Sequence, residues 1–402
     1  MDKIKALIHI GGSYLQLASI RWAKELGLYV IVTDRNADSP GSQLADQFEA
    51  INGTDVPTLL ELAYSVADEH ELIGAYCSND FGLRSVATIA QTFGRPGCSG
   101  LAVERALDKS VSKDLWRRED LPVPIGLVVK DSADLSAAVE TLGVPVILKP
   151  IESSGSQGVR SVWDKKDSLK MYAAARKFSN TVLIEKFVSG HHVDVNGLFL
   201  RKDFFPCGIM DRFFSDPPYH YPIWGCQPSS LTEAQEHSVY AIVERAARAL
   251  GIEEGPVKAD IIWTGSGPII LELAPRFHGD VSTAYVTPLA TGDSPVKAWM
   301  SYLMGSTNSM EYLRRGVIQY AGWIALFPNT CGRLLSVDGV KDTCAIKGIK
   351  GVFISKKPGA AMQNATDNTA VCGFVWAAAE NRNELFDTLT KARSTIQFVT
   401  EK

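Results

Sequence analysis

Apolar positions near the start of the chain alternate between short runs and helical spacing. Ala6-Leu7-Ile8-His9-Ile10 is a buried-strand run that Gly11-Gly12-Ser13 turns. Leu15, Leu17, Ala18, Trp22 and Leu26 then fall at helical intervals up to Gly27, and Leu28-Tyr29-Val30-Ile31-Val32 forms the next run, ending near Asp34. Run, turn, helix and run of this length predict two parallel strands joined by a right-handed crossover. A strand over 48–51, a helix over 56–69 and a strand over 73–77 continue the rhythm. Residues 1–106 are therefore expected to form an open parallel-sheet α/β domain. Gly11-Gly12 does not match G-x-G-x-x-G, because Tyr14, Leu15 and Gln16 follow, so it reads as a tight turn rather than a dinucleotide loop.

The pattern changes after residue 106. A helix is predicted over 107–119, followed by Leu121-Pro122-Val123-Pro124, a strand over 125–129 and a helix opening at Asp131-Ser132. The run Val144-Pro145-Val146-Ile147-Leu148-Lys149-Pro150 is an apolar strand tipped by a lysine. A helix over 168–177 and strands over 182–188 and 193–200 follow. The aromatic, proline-rich stretch 213–227, with Pro217-Pro218, reads as an ordered loop. A long amphipathic helix over 232–250 stops at Gly251, and strands over 257–263 and 268–273 flank the turn Thr264-Gly265-Ser266-Gly267 as a hairpin. From about residue 316 short strands and turns alternate, with one helix over 382–393. The tryptophans Trp116, Trp163, Trp263, Trp299 and Trp323 read as packing residues.

Composition narrows the function classes. With 402 residues, several domains are expected. A net charge of −4 and no Lys/Arg run argue against nucleic acid or an anionic membrane as partner. No stretch approaches the ~20 apolar residues of a membrane span, and no secretory signal opens the chain, so a cytoplasmic protein is expected. Seven scattered cysteines without a CxxC pair suggest neither a zinc knuckle nor a disulfide framework.

Three segments carry candidate chemistry. Lys149, at the end of its strand, is followed by Ser153-Ser154-Gly155-Ser156-Gln157-Gly158. Glycines admit backbone N–H groups to phosphate oxygens, serines add hydroxyl donors and the lysine adds a point charge; no Gly-Lys-Ser/Thr closes a Walker A loop. In the second segment, Ile184-Glu185-Lys186-Phe187-Val188, a strand edge can pair a purine base through main-chain groups between apolar walls, with Glu185 accepting from an amino group or ribose and His192 within reach of a ribose or phosphate. In the third, Asp260 and Glu272 lie on the two hairpin strands, each flanked by apolar residues. Acids so placed need partners: either a hard cation such as Mg²⁺ or basic core residues, with Arg276 near enough to pair with them or to hold a phosphate.

Taken in order, the helix lysine Lys109, the strand-end lysine with its glycine loop, the Glu-Lys-Phe-Val strand and the paired acids followed by Pro275-Arg276 resemble the ATP-grasp superfamily. Gly11-Gly12, Asp108-Lys109 and the Leu-Pro-Val-Pro step resemble the domain that precedes it and their junction. Asp211-Arg212, Pro217-Pro218 and Gln227-Pro228-Ser229 resemble the substrate-side segment of its carboxylate–amine branch, the L-amino-acid ligases. The resemblance is good from residue 4 to 291 and loose beyond. It implies an N-terminal α/β domain (1–106), an ATP-grasp fold of α+β character with a small subdomain (107–188) and a large one (189–305), and a small C-terminal α/β region (306–402).

The resemblance also implies roles. Lys109 and Lys149 would contact ATP phosphates, and Ser153 to Gly158 would close over them. Glu185, Lys186, Phe187 and Val188 would hold adenine, and His192 the ribose. Asp260 and Glu272 would bind Mg²⁺, with Mn²⁺ as a substitute, and Arg276 and Lys149 would serve catalysis. Arg212, Tyr219, His220 and His278 are candidates for substrate contact. One departure stands out: where the family has Asn two residues after the second acid, this chain has Ala274, which implies one metal held by fewer protein ligands, a weak second metal or a decayed site, with compensation by His278 or Asp280 as a further option. The implied activity is an ATP-dependent carbon–nitrogen ligation of a small carboxylate and an amine through an acyl phosphate. A bicarbonate-activating carboxylase and a catalytically silent ATP-binding protein are the alternatives, and a homodimer is the arrangement common among such enzymes.

Overall fold

The computed structural model describes residues 3–279, 281–313, 316–328 and 330–401. Strands β1 (Lys5–Ile10), β2 (Tyr29–Thr33), β3 (Gln47–Glu49) and β4 (Glu71–Tyr76) form a parallel sheet in the order β3-β2-β1-β4. Strands β1 and β2 are buried almost throughout, as expected when helices cover both faces. Helix Leu17–Glu25 lies on one side and helices Val56–Glu69 and Leu83–Thr92 on the other. The carboxyl end of β4 runs into Asn79, whose side chain accepts from the Gly82 N–H and caps the short turn Asp80–Gly82.

The helix predicted over 107–119 is interrupted. One helix, Gly100–Leu107, ends where that helix was expected to begin, and a second spans Lys109–Arg118. Asp108 between them is extended, and its carboxylate accepts from the Ser110 and Val111 N–H groups, so an N-cap outweighs continuation. The chain then builds β5 (Gly126–Val129), β6 (Val146–Pro150), β7 (Arg160–Val162) and β8 (Val182–Lys186), an antiparallel sheet ordered β5-β8-β6-β7. Val146 and Leu148 pack onto helices Ser132–Leu142 and Ser168–Ala175. The period-2 pleat sends Ile147 and Lys149 to the opposite face.

The larger sheet takes β9 (His191–Leu200), β10 (Asp203–Phe214), β11 (Pro222–Gln227), β12 (Gly255–Thr264), β13 (Gly267–Ala274) and β14 (Tyr320–Leu326). Strands β15 (Gly332–Asp338), β16 (Ile349–Ile354), β17 (Ala361–Met362), β18 (Gly373–Ala379) and β19 (Gln397–Glu401) follow. Eight of these form one antiparallel sheet, β13-β12-β9-β10-β11-β14-β18-β16, while β17-β15-β19 form a small separate one. The stretch expected as a loop over 213–227 is mostly strand: β10 runs to Phe214 and β11 begins at Pro222, leaving a connection over 215–221. Its aromatic residues pair across the ladder, with Phe213 stacked on Trp224 at 4.0 Å between centroids.

Helix Glu233–Leu250 opens with a Thr232–Gln235 capping box and closes on Gly251 in the left-handed conformation. It packs on Val193, Val195, Ile209, Ala259 and Ile261, one face of the large sheet. The other face is the floor of a cleft. Among the described residues, all seven cysteines are free and no helix is long and apolar enough to cross a membrane.

Candidate active site

The cleft has a volume of about 1000 Å³ and lies between the two antiparallel sheets, closed at one end by the N-terminal domain. Register explains its floor. Asp260 of β12 pairs with Glu272 of β13 on one side and with Asp194 of β9 on the other. Two residues earlier, Lys258 pairs with Ala274 and Asn196, and therefore shares that face. The Lys258 ammonium lies 3.3 Å from Asp260 and 3.1 Å from Glu272 and is almost wholly buried. Burial alone would raise both acids, but Lys258 together with His278 and His192 at Asp260, and with Lys109 at Glu272, holds both below the usual carboxylate range.

His278 closes this group from the loop beyond β13. Its Nδ1 is 3.1 Å from Asn196 Oδ1, and its Nε2 is 3.3 Å from Asp194 and 3.4 Å from Asp260. Ligand atoms of Asp194, Asp260 and His278 converge within 4.8 Å, a donor set suited to a hard cation. Further along the floor, Arg212 donates to Asp194 at 2.8 Å and lies over the Trp323 ring at 4.7 Å. Gly225 sits between them in the ladder, where an added Cβ would come within 2.6 Å of Met210 Sδ and 3.1 Å of Trp323 Nε1. Asp211 points through the sheet to the opposite side and binds His191, Ser229 and Arg382.

The roof comes from the smaller sheet. Glu185, with no exposed surface, binds Lys149 at 2.7 Å and Lys113 at 3.0 Å. Burial pushes the Glu185 carboxyl up, but the two lysines outweigh it and bring it down to about 2. Burial pulls Lys113 down to about 8 against the pull of Glu185. Lys109 donates to the Ser153 carbonyl at 2.6 Å and so ties its helix to the glycine loop. That loop turns through positive φ at Gly155, Ser156 and Gly158. It is also fastened from the C-terminal region: Asn368 N–H donates to the Gly155 carbonyl at 3.1 Å, and Arg160 to the Thr366 carbonyl at 3.2 Å.

The N-terminal domain supplies the end wall. Asp80 accepts two bonds from Arg276, at 2.6 and 2.9 Å, with both side chains largely buried. Burial would raise the Asp80 carboxyl, but Arg276 outweighs it and takes it down to about 2. Gly279 seals the junction, since a Cβ there would lie 2.1 Å from the Ser78 carbonyl.

Most residues singled out from sequence line this one cleft: Lys109, Lys149, Ser153, Ser154, Gly155, Ser156, Glu185, Lys186, Phe187, Val188, His192, Arg212, Asp260, Glu272, Arg276 and His278. Their placements differ from expectation in several details. The Glu185 carboxylate is engaged by lysines. Lys186 donates its backbone N–H to Ile125 and its ammonium to Leu142. Gly158 packs beneath the lid against Phe178 and Pro150. Tyr219 lies against the Arg160 guanidinium, while its neighbour His220 reaches the cleft, its ring pulled by burial to about 4.

Burial takes His192 to about 3, and its Nε2 has no hydrogen-bond partner among the described residues. Asp280 lies outside the described residues. Trp323, expected as packing, is both fully buried and part of the cleft wall.

Five participants were not singled out from sequence, among them Asp194, which stands one strand period after His192 on β9. Lys113 stands one helical turn after Lys109 on the same face, and Lys258 one strand period before Asp260, so periodicity could have found both. Asp80 lies just beyond the carboxyl end of a parallel strand, the usual edge for function in such sheets. Asn196 carried no comparable signal.

This architecture, a lysine-lined roof with a glycine lid over an acid-bearing sheet, defines an ATP-grasp protein. Residues 106–280 match the family described as "ATP-grasp domain", and residues 324–401 match "L-amino acid ligase C-terminal domain 2". The chain thus carries an ATP-grasp domain followed by an L-amino acid ligase C-terminal domain. The L-amino acid ligase from Bacillus licheniformis superposes with a TM-score of 0.85 at 19% identity, covering 100% of both chains, a likeness of fold. An uncharacterized protein of Sinorhizobium fredii is 24% identical over 87% of this chain and 72% of its own length. A D-alanine–D-alanine ligase of Verminephrobacter eiseniae is 32% identical over 44% of this chain, and the matched part spans 56% of that ligase.

Proposed function

We propose that the protein joins an amino acid or similar small carboxylate to an amine, using ATP to activate the carboxylate as an acyl phosphate. The observation that carries this reading is the convergence in one cleft of Lys109, Lys149 and the glycine lid above, the Asp260–Glu272 pair below and Arg276 at the end.

A carboxylate is a poor electrophile because its oxygen leaves badly, and phosphorylation supplies the leaving group. Lys149 and Lys109 would meet the nucleotide phosphates, Lys149 exchanging part of its hold on Glu185 for them. Phe187 and Val188 would flank the base, and the half-buried, neutral His192 would offer its ring to the ribose. The half-buried acid pair and the neighbouring Asp194–His278 donors fit a Mg²⁺ ion, which when bound would neutralise charge on the transferring phosphoryl group. Arg276, held by Asp80, would orient the phosphate or acyl-phosphate oxygens. The lid would keep water from the acyl phosphate until the amine attacks.

The test is phosphate release from ATP with pools of amino acids, with and without bicarbonate. Release that requires a carboxylate together with an amine supports ligation. Release dependent on bicarbonate alone, or ATP binding without turnover on any pool, would refute it.

A further inference from the structure

Two cation positions can be drawn on the floor, and they share Asp260. One lies between Asp260 and Glu272, and the other among Asp260, Asp194 and His278. The first already receives a positive group from the chain itself. Lys258 approaches both acids, at 3.3 and 3.1 Å, with only 7% of its side chain exposed.

The position facing Lys258 across the ladder is Ala274. That is the position two residues after the second acid, where the family pattern implies an amide side chain that could serve as a cation ligand. Here the ligand is absent, and the residue opposite it is a lysine that reaches the acids. A methyl group at Ala274 leaves that side of the acid pair to the lysine, whereas an Asn there would bring its own donors and bulk to the same face.

Charge counting points the same way. Asp260 and Glu272 contribute two negative charges, and Lys258 returns one. Arg212 donates to Asp194, and Arg276 pairs with Asp80. Apart from the nucleotide, the floor is left with about one uncompensated negative charge, which suits one divalent ion better than two. Lys is suited to the task as a compact, strongly charged head on a flexible stem that can sit between two carboxylates without demanding a bidentate geometry.

We propose that Lys258 is a resident cation of the acid pair: it stands in for one divalent ion, and with nucleotide bound the site takes a single metal ion per chain. This inference rests on the reading of the cleft as a nucleotide site, and the experiment separates the two. The full-length protein is titrated with Mn²⁺ in the presence of a non-hydrolysable ATP analogue. Free Mn²⁺ is counted by electron paramagnetic resonance, and bound nucleotide is measured in the same samples.

The expected result is one Mn²⁺ per chain for the wild type and for Lys258→Arg, and for Lys258→Met either a second Mn²⁺ or at least tenfold tighter Mn²⁺ binding without nucleotide. Nucleotide binding with two Mn²⁺ on the wild type overturns the inference while leaving the nucleotide site standing, as does a Lys258→Met protein with unchanged stoichiometry and affinity. Failure of the wild type to bind nucleotide at all overturns both. If Lys258→Met does not fold, the wild-type count decides: one ion supports the proposal and two refute it.

Discussion

Replacing Asp80 with Asn tests whether the N-terminal domain serves the reaction or only carries the rest. The substitution keeps the shape and one acceptor oxygen but removes the charge that holds Arg276. Arg276 lowers the Asp80 carboxyl from 3.8 to about 2 despite burial. At ~1.4 kcal/mol per unit, ionised Asp80 contributes a net ~2.5 kcal/mol at neutral pH, with Arg276 as the main favourable partner. With the unfolding entropy usual for a chain of this length, such a loss lowers Tm by ~3 °C.

The catalytic effect should be separable from that loss. Arg276 would be left under the field of Glu272 and drawn toward the acid pair, away from the phosphate it is proposed to orient. If most of the coupling is used in the transition state, kcat falls at least ~10-fold, while KM for ATP changes less than ~3-fold. Thermal unfolding and coupled phosphate release, run well below Tm, measure both. An Asp80→Asn protein with Tm within ~1 °C of the wild type and kcat within ~2-fold would refute the reasoning.

Other outcomes follow from the same geometry. Glu272→Ala should abolish turnover while circular dichroism stays native; normal turnover would remove the metal assignment. Lys149→Ala should weaken nucleotide affinity by at least ~10-fold in calorimetry, since it removes one of the two roof lysines proposed to meet the phosphates. Lys113→Met leaves buried Glu185 with Lys149 alone and should cost ~3–5 kcal/mol in denaturant unfolding. The acid limb of stability should reflect Asp80 and Glu185. Both have folded values lowered to about 2, from 3.8 and 4.5. Their contribution is therefore present above those unfolded values and is lost as pH falls from about 4.5 toward 2. Thermal unfolding across that window should show a shallower slope for Asp80→Asn than for the wild type.

Sequence periodicity made most of the scaffold legible. The helix over Val56–Glu69 and the acid hairpin follow directly from apolar spacing and turn residues. Periodicity alone failed where local hydrogen bonding or cross-strand packing prevailed, as at the Asp108 cap and the stacked Phe213–Trp224 pair. The candidate site was legible where residues share one short motif, such as Lys149 with its lid. It was hidden where partners come from distant segments: Asp80 meets Arg276 across 196 residues, and Asn368 meets Gly155 across the roof. Charge pairs of this kind leave no local signature, because the chain order does not record which elements face each other.

The continuation of the large sheet into β14, β18 and β16 bears on how the protein is made. These strands follow the roof and the acid-bearing hairpin in chain order, yet Trp323, Phe353 and Phe374 on them form one side of the enclosure. A ribosome-bound chain can complete the lysine roof and the acid-bearing floor long before that side exists. A chain that stops before these strands lacks that side, so under the proposed reaction it would be a candidate for futile ATP consumption rather than for slow synthesis.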